Sequence, residues 1–257
     1  MKTVLDLEAE ALRILAARAG RATLAPITDR TELSITDAYV IQALLTKARV
    51  ARGERVIGWK LGYTSLVMRQ QMGIDSPNFG PLTDAMLLED GGLTPQTMTQ
   101  PRVEPEIALR FARDVPSSAD RAAVLDCVGS AHACLEIVDS VWNDYRFKLE
   151  DNTADGSSAA GVVLGPELSL HAIDRIEVSL WVDGEPAGVG VGSDASGHPA
   201  DGVVWLVAQL AARNDRLRAG DVVITGGLTR AAPLMPGSVI SARFACDPPV
   251  KVSVRRG

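Results

Sequence analysis

PRVEPEIALRF, residues 101–111, alternates as a β-strand does. Successive side chains of a strand point to opposite faces, so Val103, Ile107, Leu109 and Phe111 share one face, directed at a core. Glu104 and Glu106 share the other, with only Pro105 between them. Their Cα atoms are then about 7 Å apart. Carboxylates so placed repel each other unless something positive or aqueous intervenes. Solvent, an Arg or Lys side chain, or a divalent cation would each serve.

A second apolar run, ACLEIVDS (133–140), carries Glu136 among Leu135, Ile137 and Val138. A buried acid there must be paired, protonated or bound to metal. Arg102 or Arg110 could pair with it. Three carboxylates on two apolar strands, however, suit a hard, oxygen-ligated cation better than a core. No HxxE or HxH spacing accompanies them, which favours magnesium or manganese over zinc.

Upstream, RVIGWKLGY (55–63) is strand-like, with Lys60 between Trp59 and Leu61. A lysine in an apolar strand either snorkels from an edge or points into a pocket, where it binds an acid or moves protons. Downstream, the polar turn TADGSS (153–158) is either a surface loop or a source of compact hydroxyl and amide groups. Thr225, Gly226 and Gly227 permit close backbone approach to a ligand, or simply a tight bend.

The remaining chain sets limits. With 257 residues it can bury a sizeable core. A formal net charge of −6 leaves no basic excess for nucleic acid. Cys127, Cys134 and Cys246 form no CxxC pair, which suits a reducing cytoplasm. The N-terminus lacks the apolar core of a signal peptide, and no apolar run reaches the length of a membrane span. Helical spacing is expected over 4–18, 34–50, 64–72, 118–129 and 203–214, a hairpin about Asp183-Gly184, and a turn-rich connector or lid over 73–82. His198 is expected to cap the helix that follows it or to pack in a turn. No GxGxxG follows a first strand, and no GxSxG elbow or phosphate loop occurs. The fold class is therefore α+β with a curled mixed sheet. Residues 1–52 form a helical portion packed on a β-rich core, 53–257, in a single domain.

Seven colinear stretches resemble one family: DAYVIQ (37–42), GWKLGYTS (58–65), PRVEPEIA (101–108), LEIVDS (135–140), TADGSSAAGVVLG (153–165), GHPADGVVWLVAQLA (197–211) and TGGLTRAAPL (225–234). They are similar to the 2-keto-4-pentenoate hydratases and 4-oxalocrotonate decarboxylases, a branch of the fumarylacetoacetate hydrolase superfamily. The resemblance implies that superfamily's β-rich fold and a magnesium or manganese ion held by Glu104, Glu106 and Glu136. It also implies catalytic roles for Lys60 and Ser158, and a substrate-binding set of Lys60, Asp155, Ser158, Thr225, Gly226 and Gly227.

The implied function is a metal-dependent lyase for 2-oxo acids or 2-hydroxy-2,4-dienoates in the catabolism of aromatic-type compounds, with hydratase first and decarboxylase as the alternative. A homo-oligomer is implied, with room for a partner enzyme of the same pathway. Departures from the family pattern stand at Asn78 (an acid in many hydratases), Val141 (usually Arg), Gly156 (usually Asn), Ser238 (usually Asp) and Pro248-Pro249. They leave open a non-catalytic accessory subunit that keeps the fold.

Overall fold

The computed structural model describes residues 5–66, 69–70, 73–94, 96–246 and 250–256. Val4, part of the expected 64–72 helix and Pro248-Pro249 lie outside them.

The strands are β1 (Val56–Gly62), β2 (Asn78–Thr83), β3 (Leu87–Leu88), β4 (Leu93–Thr94), β5 (Arg102–Phe111), β6 (Val128–Val138), β7 (Ala159–Leu168), β8 (Glu177–Val182), β9 (Glu185–Val191), β10 (Val222–Ile224), β11 (Ala232–Pro233), β12 (Val239–Phe244) and β13 (Val250–Arg256). The helices are α1 (Leu7–Gly20), α2 (Ile35–Val50), α3 (Arg121–Cys127), α4 (Leu149–Ala154) and α5 (Pro199–Ala211). Among the described residues, no helix is long and apolar enough to cross a membrane.

Eight strands form a mixed sheet in the order β2-β1-β10-β5-β6-β7-β3, with β11 added to β5. Its two edge strands, β2 and β3, are only three residues apart in sequence. Four peptide steps span at most about 14 Å, so the edges must approach each other and the sheet curls almost into a barrel. Leu82, Met86, Ala108, Cys134, Val162 and Ile224 fill the inside of the curl. The outer face of β5–β7 meets a five-stranded sheet, β4-β13-β12-β8-β9, and α5. Val103, Ile107 and Leu109 there pack with Leu180, Ile240, Phe244, Val203 and Leu206. The α+β class with a curled mixed sheet is the architecture observed.

The caps follow from sequence. Asp6 accepts from Ala9 N–H at 3.0 Å and Ser34 from Asp37 N–H at 3.0 Å. His198 Nδ1 accepts from Ala200 N–H at 3.0 Å, with Pro199 opening α5. Helices α1 and α2 share an apolar cluster with Val141, Trp142 and Ala154. Gln42 Nε2 donates to Phe79 O and Thr153 O, both at 2.9 Å, tying α2 to β2 and α4.

Three local expectations are corrected. Residues 78–82 of the expected connector belong to buried strand β2. Pro81 is tolerated there because β2 is an edge strand. The expected 118–129 helix starts only after its Asp120 cap and yields at Val128 to the eleven-residue β6. The polar turn at 153–158 begins as the last turn of α4 rather than as a surface loop.

Candidate metal centre and active-site cavity

β5 and β6 pair antiparallel with Glu104 directly opposite Glu136. Glu106 lies one pleat further along the same face. Carboxylate oxygens of all three lie within 4.8 Å of one another. Lys60 reaches them from β1, across the intervening β10. Its Nζ lies 2.8 Å from Glu136 Oε2 and donates to Ser157 O at 3.1 Å. The cation beside Glu136 is thus Lys60, rather than either of the alternatives Arg102 and Arg110. Lys60, Glu106 and Glu136 are buried, and Glu104 is partly open to a cavity of about 570 Å³.

Electrostatics follow from this crowding. Burial, reinforced by the Glu136 charge, pushes Glu104 up to about 7, while Lys60 and Arg102 pull it down. Burial pushes Glu106 well above the usual carboxylate range, helped by Glu136 and Glu104. Burial also raises Glu136, against the opposing pull of Lys60. For Lys60, burial favours the neutral amine, but the three glutamates outweigh it and hold the ammonium above its ordinary pKa. Glu106 Oε1 and Glu136 Oε1 accept no hydrogen bond among the described residues. Buried acceptors with no donor on two of three converging acids fit a divalent cation with oxygen ligands.

The Thr225-Gly226-Gly227 turn follows β10 and closes against this cluster. Gly226 N–H donates to Glu106 Oε2 at 2.7 Å. With φ +102°, a Cβ on Gly226 would meet Thr64 Oγ1 at 2.0 Å, and a Cβ on Gly227 would meet Glu104 Oε2 at 1.9 Å. Thr225 is buried and donates to Ile107 O at 3.0 Å, so its hydroxyl braces the turn and does not reach the cavity.

Ser158 lines the cavity; Asp155 does not. Gly156, Ser157 and Ser158 all have positive φ, 76°, 56° and 57°, a conformation costly for serine. That backbone presents Ser157 O to Lys60. Ser158 Oγ donates to Asp155 Oδ2 at 3.2 Å and accepts from Asn152 Nδ2 at 3.0 Å. The Asp155 carboxylate is turned away, towards the Arg18 guanidinium and Val141 N–H. It borders a separate cavity of about 230 Å³ with Arg18, Gln42, Arg49 and Gly156. Asp155 therefore anchors Ser158 and makes no wall of the main cavity.

The departures from the family pattern find places. Asn78 donates to Asn152 Oδ1 and Thr153 Oγ1 and accepts from Ser157 Oγ, in a fully buried neutral network. Val141 contributes its backbone N–H to Asp155 and its side chain to the α1–α2 cluster. Gly156 keeps a left-handed φ with open space where a side chain would be. Ser238 bonds Asp183 at 3.0 Å, at the β8–β9 hairpin.

Sequence reasoning passed over Tyr63, Tyr145 and Arg230 in the cavity wall, and treated Arg102 only as a partner for Glu136. Arg102 shares the parity of Glu104 and Glu106, a signal that was available. Tyr145, in a short turn with φ +58°, had none.

Comparisons with known proteins bear on the family. Residues 56–253 match the family described as fumarylacetoacetate (FAA) hydrolase, C-terminal. The chain is 38% identical over 240 residues to 2-hydroxyhexa-2,4-dienoate hydratase of Comamonas testosteroni, covering 90% of each. It is 35% identical over 227 residues to 2-keto-4-pentenoate hydratase of Paraburkholderia xenovorans, covering 86% of this chain and 84% of that one. Among solved structures, 4-oxalocrotonate decarboxylase from Pseudomonas putida G7, complexed with magnesium and adipate, superposes with a TM-score of 0.91 at 28% identity. That likeness covers 98% of this chain and 97% of the other. On sequence and fold, this chain belongs to the fumarylacetoacetate hydrolase family.

Proposed function

We propose that the protein is a divalent-metal-dependent lyase of 2-oxo acids or their 2-hydroxy-2,4-dienoate tautomers, acting as a hydratase in the breakdown of aromatic-type compounds. The observation that carries this is the cluster of Glu104, Glu106 and Glu136, with unsatisfied buried oxygens, beside Lys60 at the floor of a cavity. Magnesium or manganese fits these three ligands. When bound, it supplies Lewis-acid polarisation of a chelated carbonyl and carboxylate.

The chain's own groups cover the proton chemistry. Hydration needs the 2-hydroxyl proton removed and a proton delivered to the terminal diene carbon, after which water gives its hydroxyl to the carbon before it and a proton to C3. The Lys60 ammonium has three donors, of which Glu136 and Ser157 O occupy two. The third serves a substrate carboxylate or the proton transfer. Ser158, its own proton directed to Asp155, offers an acceptor that orients water. Tyr63 and Tyr145 wall the cavity, and burial raises both phenols, so they stay neutral; the Tyr145 hydroxyl donates to backbone carbonyls of Val138 and Gln100.

Decarboxylation is the second reading, supported by the superposition on 4-oxalocrotonate decarboxylase and by Asn78 standing where many hydratases carry an acid. The accessory-subunit reading has less support, because the departures behind it leave the carboxylates and Lys60 in place. Free cysteines suit a reducing cytoplasm, and self-association is to be measured by sedimentation.

Supplied with magnesium and 2-hydroxypenta-2,4-dienoate, the protein should bleach the diene absorbance. Glu106→Gln should abolish both tight magnesium binding and turnover. Carbon dioxide from 4-oxalocrotonate without turnover of the dienoate would replace hydratase by decarboxylase. Full activity in Glu106→Gln would remove the metal assignment.

A further inference from the structure

We propose that the second, smaller cavity, beside Asp155, is a binding site for a tetrahedral oxyanion such as phosphate, held between Arg18 and Arg49 with the exposed Arg52 beside them. It is separate from the carboxylate cluster and does not depend on the reaction proposed above.

The helices explain why the arginines meet. Arg18 lies in the last turn of α1, Arg49 in the last turn of α2, and Arg52 just beyond α2. Helices α1 and α2 pack through a shared apolar cluster. The last turns of both, with Pro81, Asp155 and Gly156, bound a cavity of about 230 Å³. That is room for several waters, and so for a phosphate-sized ion. Gly156 adds no bulk to the wall, since a Cβ there would meet nothing within 4 Å.

Charge and free donors point to an anion. Three guanidiniums line the cavity against two carboxylates, Asp155 and Glu54. Both acids are already engaged. Asp155 accepts from Arg18, Val141 N–H and Ser158, and Glu54 Oε2 accepts from Arg49 at 3.1 Å and from Thr83. Arg52 pairs with no acid among the described residues, which leaves one positive charge in excess. A guanidinium has five N–H donors. Arg18 uses Nη2 on Asp155, and Arg49 uses Nη1 on Glu54. Their other donors meet no protein acceptor among the described residues, and none of them is sealed from solvent. Burial, and after it the nearby Arg18 charge, works against the Arg49 guanidinium. Two neighbouring cations that repel each other and keep donors free are complementary to an anion between them.

Geometry selects the kind of anion. The two guanidiniums come from different helices. A planar carboxylate presents one edge, which suits one of them, whereas a tetrahedral oxyanion presents several edges and accepts from both.

The test titrates the full-length protein calorimetrically with inorganic phosphate, at saturating magnesium and again in EDTA. We expect saturable binding in both, with a dissociation constant of about 1 mM or tighter. Acetate at matched ionic strength should bind at least about tenfold more weakly. Arg49→Gln should weaken phosphate about tenfold or more, and Arg49→Lys less. Arg52→Gln, an exposed change that leaves folding untouched, should weaken it severalfold. Glu106→Gln, which disables the proposed metal centre, should leave phosphate binding unchanged. A parallel titration with glycerol phosphate separates the free ion from the same group carried on a larger molecule; either occupant sustains the inference. Absence of saturable binding, acetate as tight as phosphate, or a phosphate affinity indifferent to Arg49 would each overturn it. So would loss of phosphate binding in Glu106→Gln, which would assign the ion to the metal centre instead.

Discussion

Glu104 and Glu106 carry the same side chain two residues apart, yet their surroundings differ. Glu106 is more deeply buried and accepts from Gly226 N–H, whereas Glu104 is the more open to the cavity they both line, beside Arg102. Both are raised, Glu104 to about 7. A raised carboxylate holds its proton longer in the folded protein than in the unfolded chain. Its contribution to stability is complete below the ordinary carboxylate range and is lost as pH climbs through the folded value. Metal-free protein should therefore melt at progressively lower temperature from about pH 5 to about pH 8. Because the ion replaces those protons, magnesium affinity should rise over the same window, with protons released in calorimetry performed in two buffers. A melting temperature that rises with pH in EDTA would contradict this assignment. The three glutamates were legible in sequence because period-2 alternation and apolar neighbours leave a buried acid few options.

Among the elements, the β5–β6 pair supplies the proposed ligands, and the turn after β10 packs against them. Gly227→Ala would place a methyl where Glu104 Oε2 lies. The obstructing atom ends a flexible side chain, so the fold should survive while magnesium affinity drops about tenfold to a hundredfold; circular dichroism and metal titration would measure the two separately. Lys60 could not be matched to Glu136 from sequence, because β10, which arrives some 160 residues after β1 (Gly58 pairs with Val222), lies between them. Its two sequence readings were equally local, and only a long-range strand order decides between them. The same limit hid β2: NFGPLT has the composition of a turn, and its pairing to β1 outweighs that composition.

At the scale of the whole molecule, the N-terminal helices are tied to the turn that carries Ser158 through Arg18 and Asp155. Asp155 is buried while Arg18 is partly exposed, so removing the cation strands a charge whose cost is tempered by solvent. Arg18→Gln should cost about 2 kcal/mol in urea unfolding, and adding Asp155→Asn should recover much of it. The same loss should lower turnover, since Ser158 hangs on Asp155.

β10 lies between β1 and β5, and pairs with both. A strand from near the C-terminus must thus be delivered before Lys60 and the carboxylates can share a face, which gives the active site a high contact order. Refolding from urea should be slow for this chain length. Magnesium should stabilise the product without quickening its formation, since the transition state precedes the assembled ligand set. A refolding rate that scales with magnesium concentration would mean that the ion gathers the strands itself.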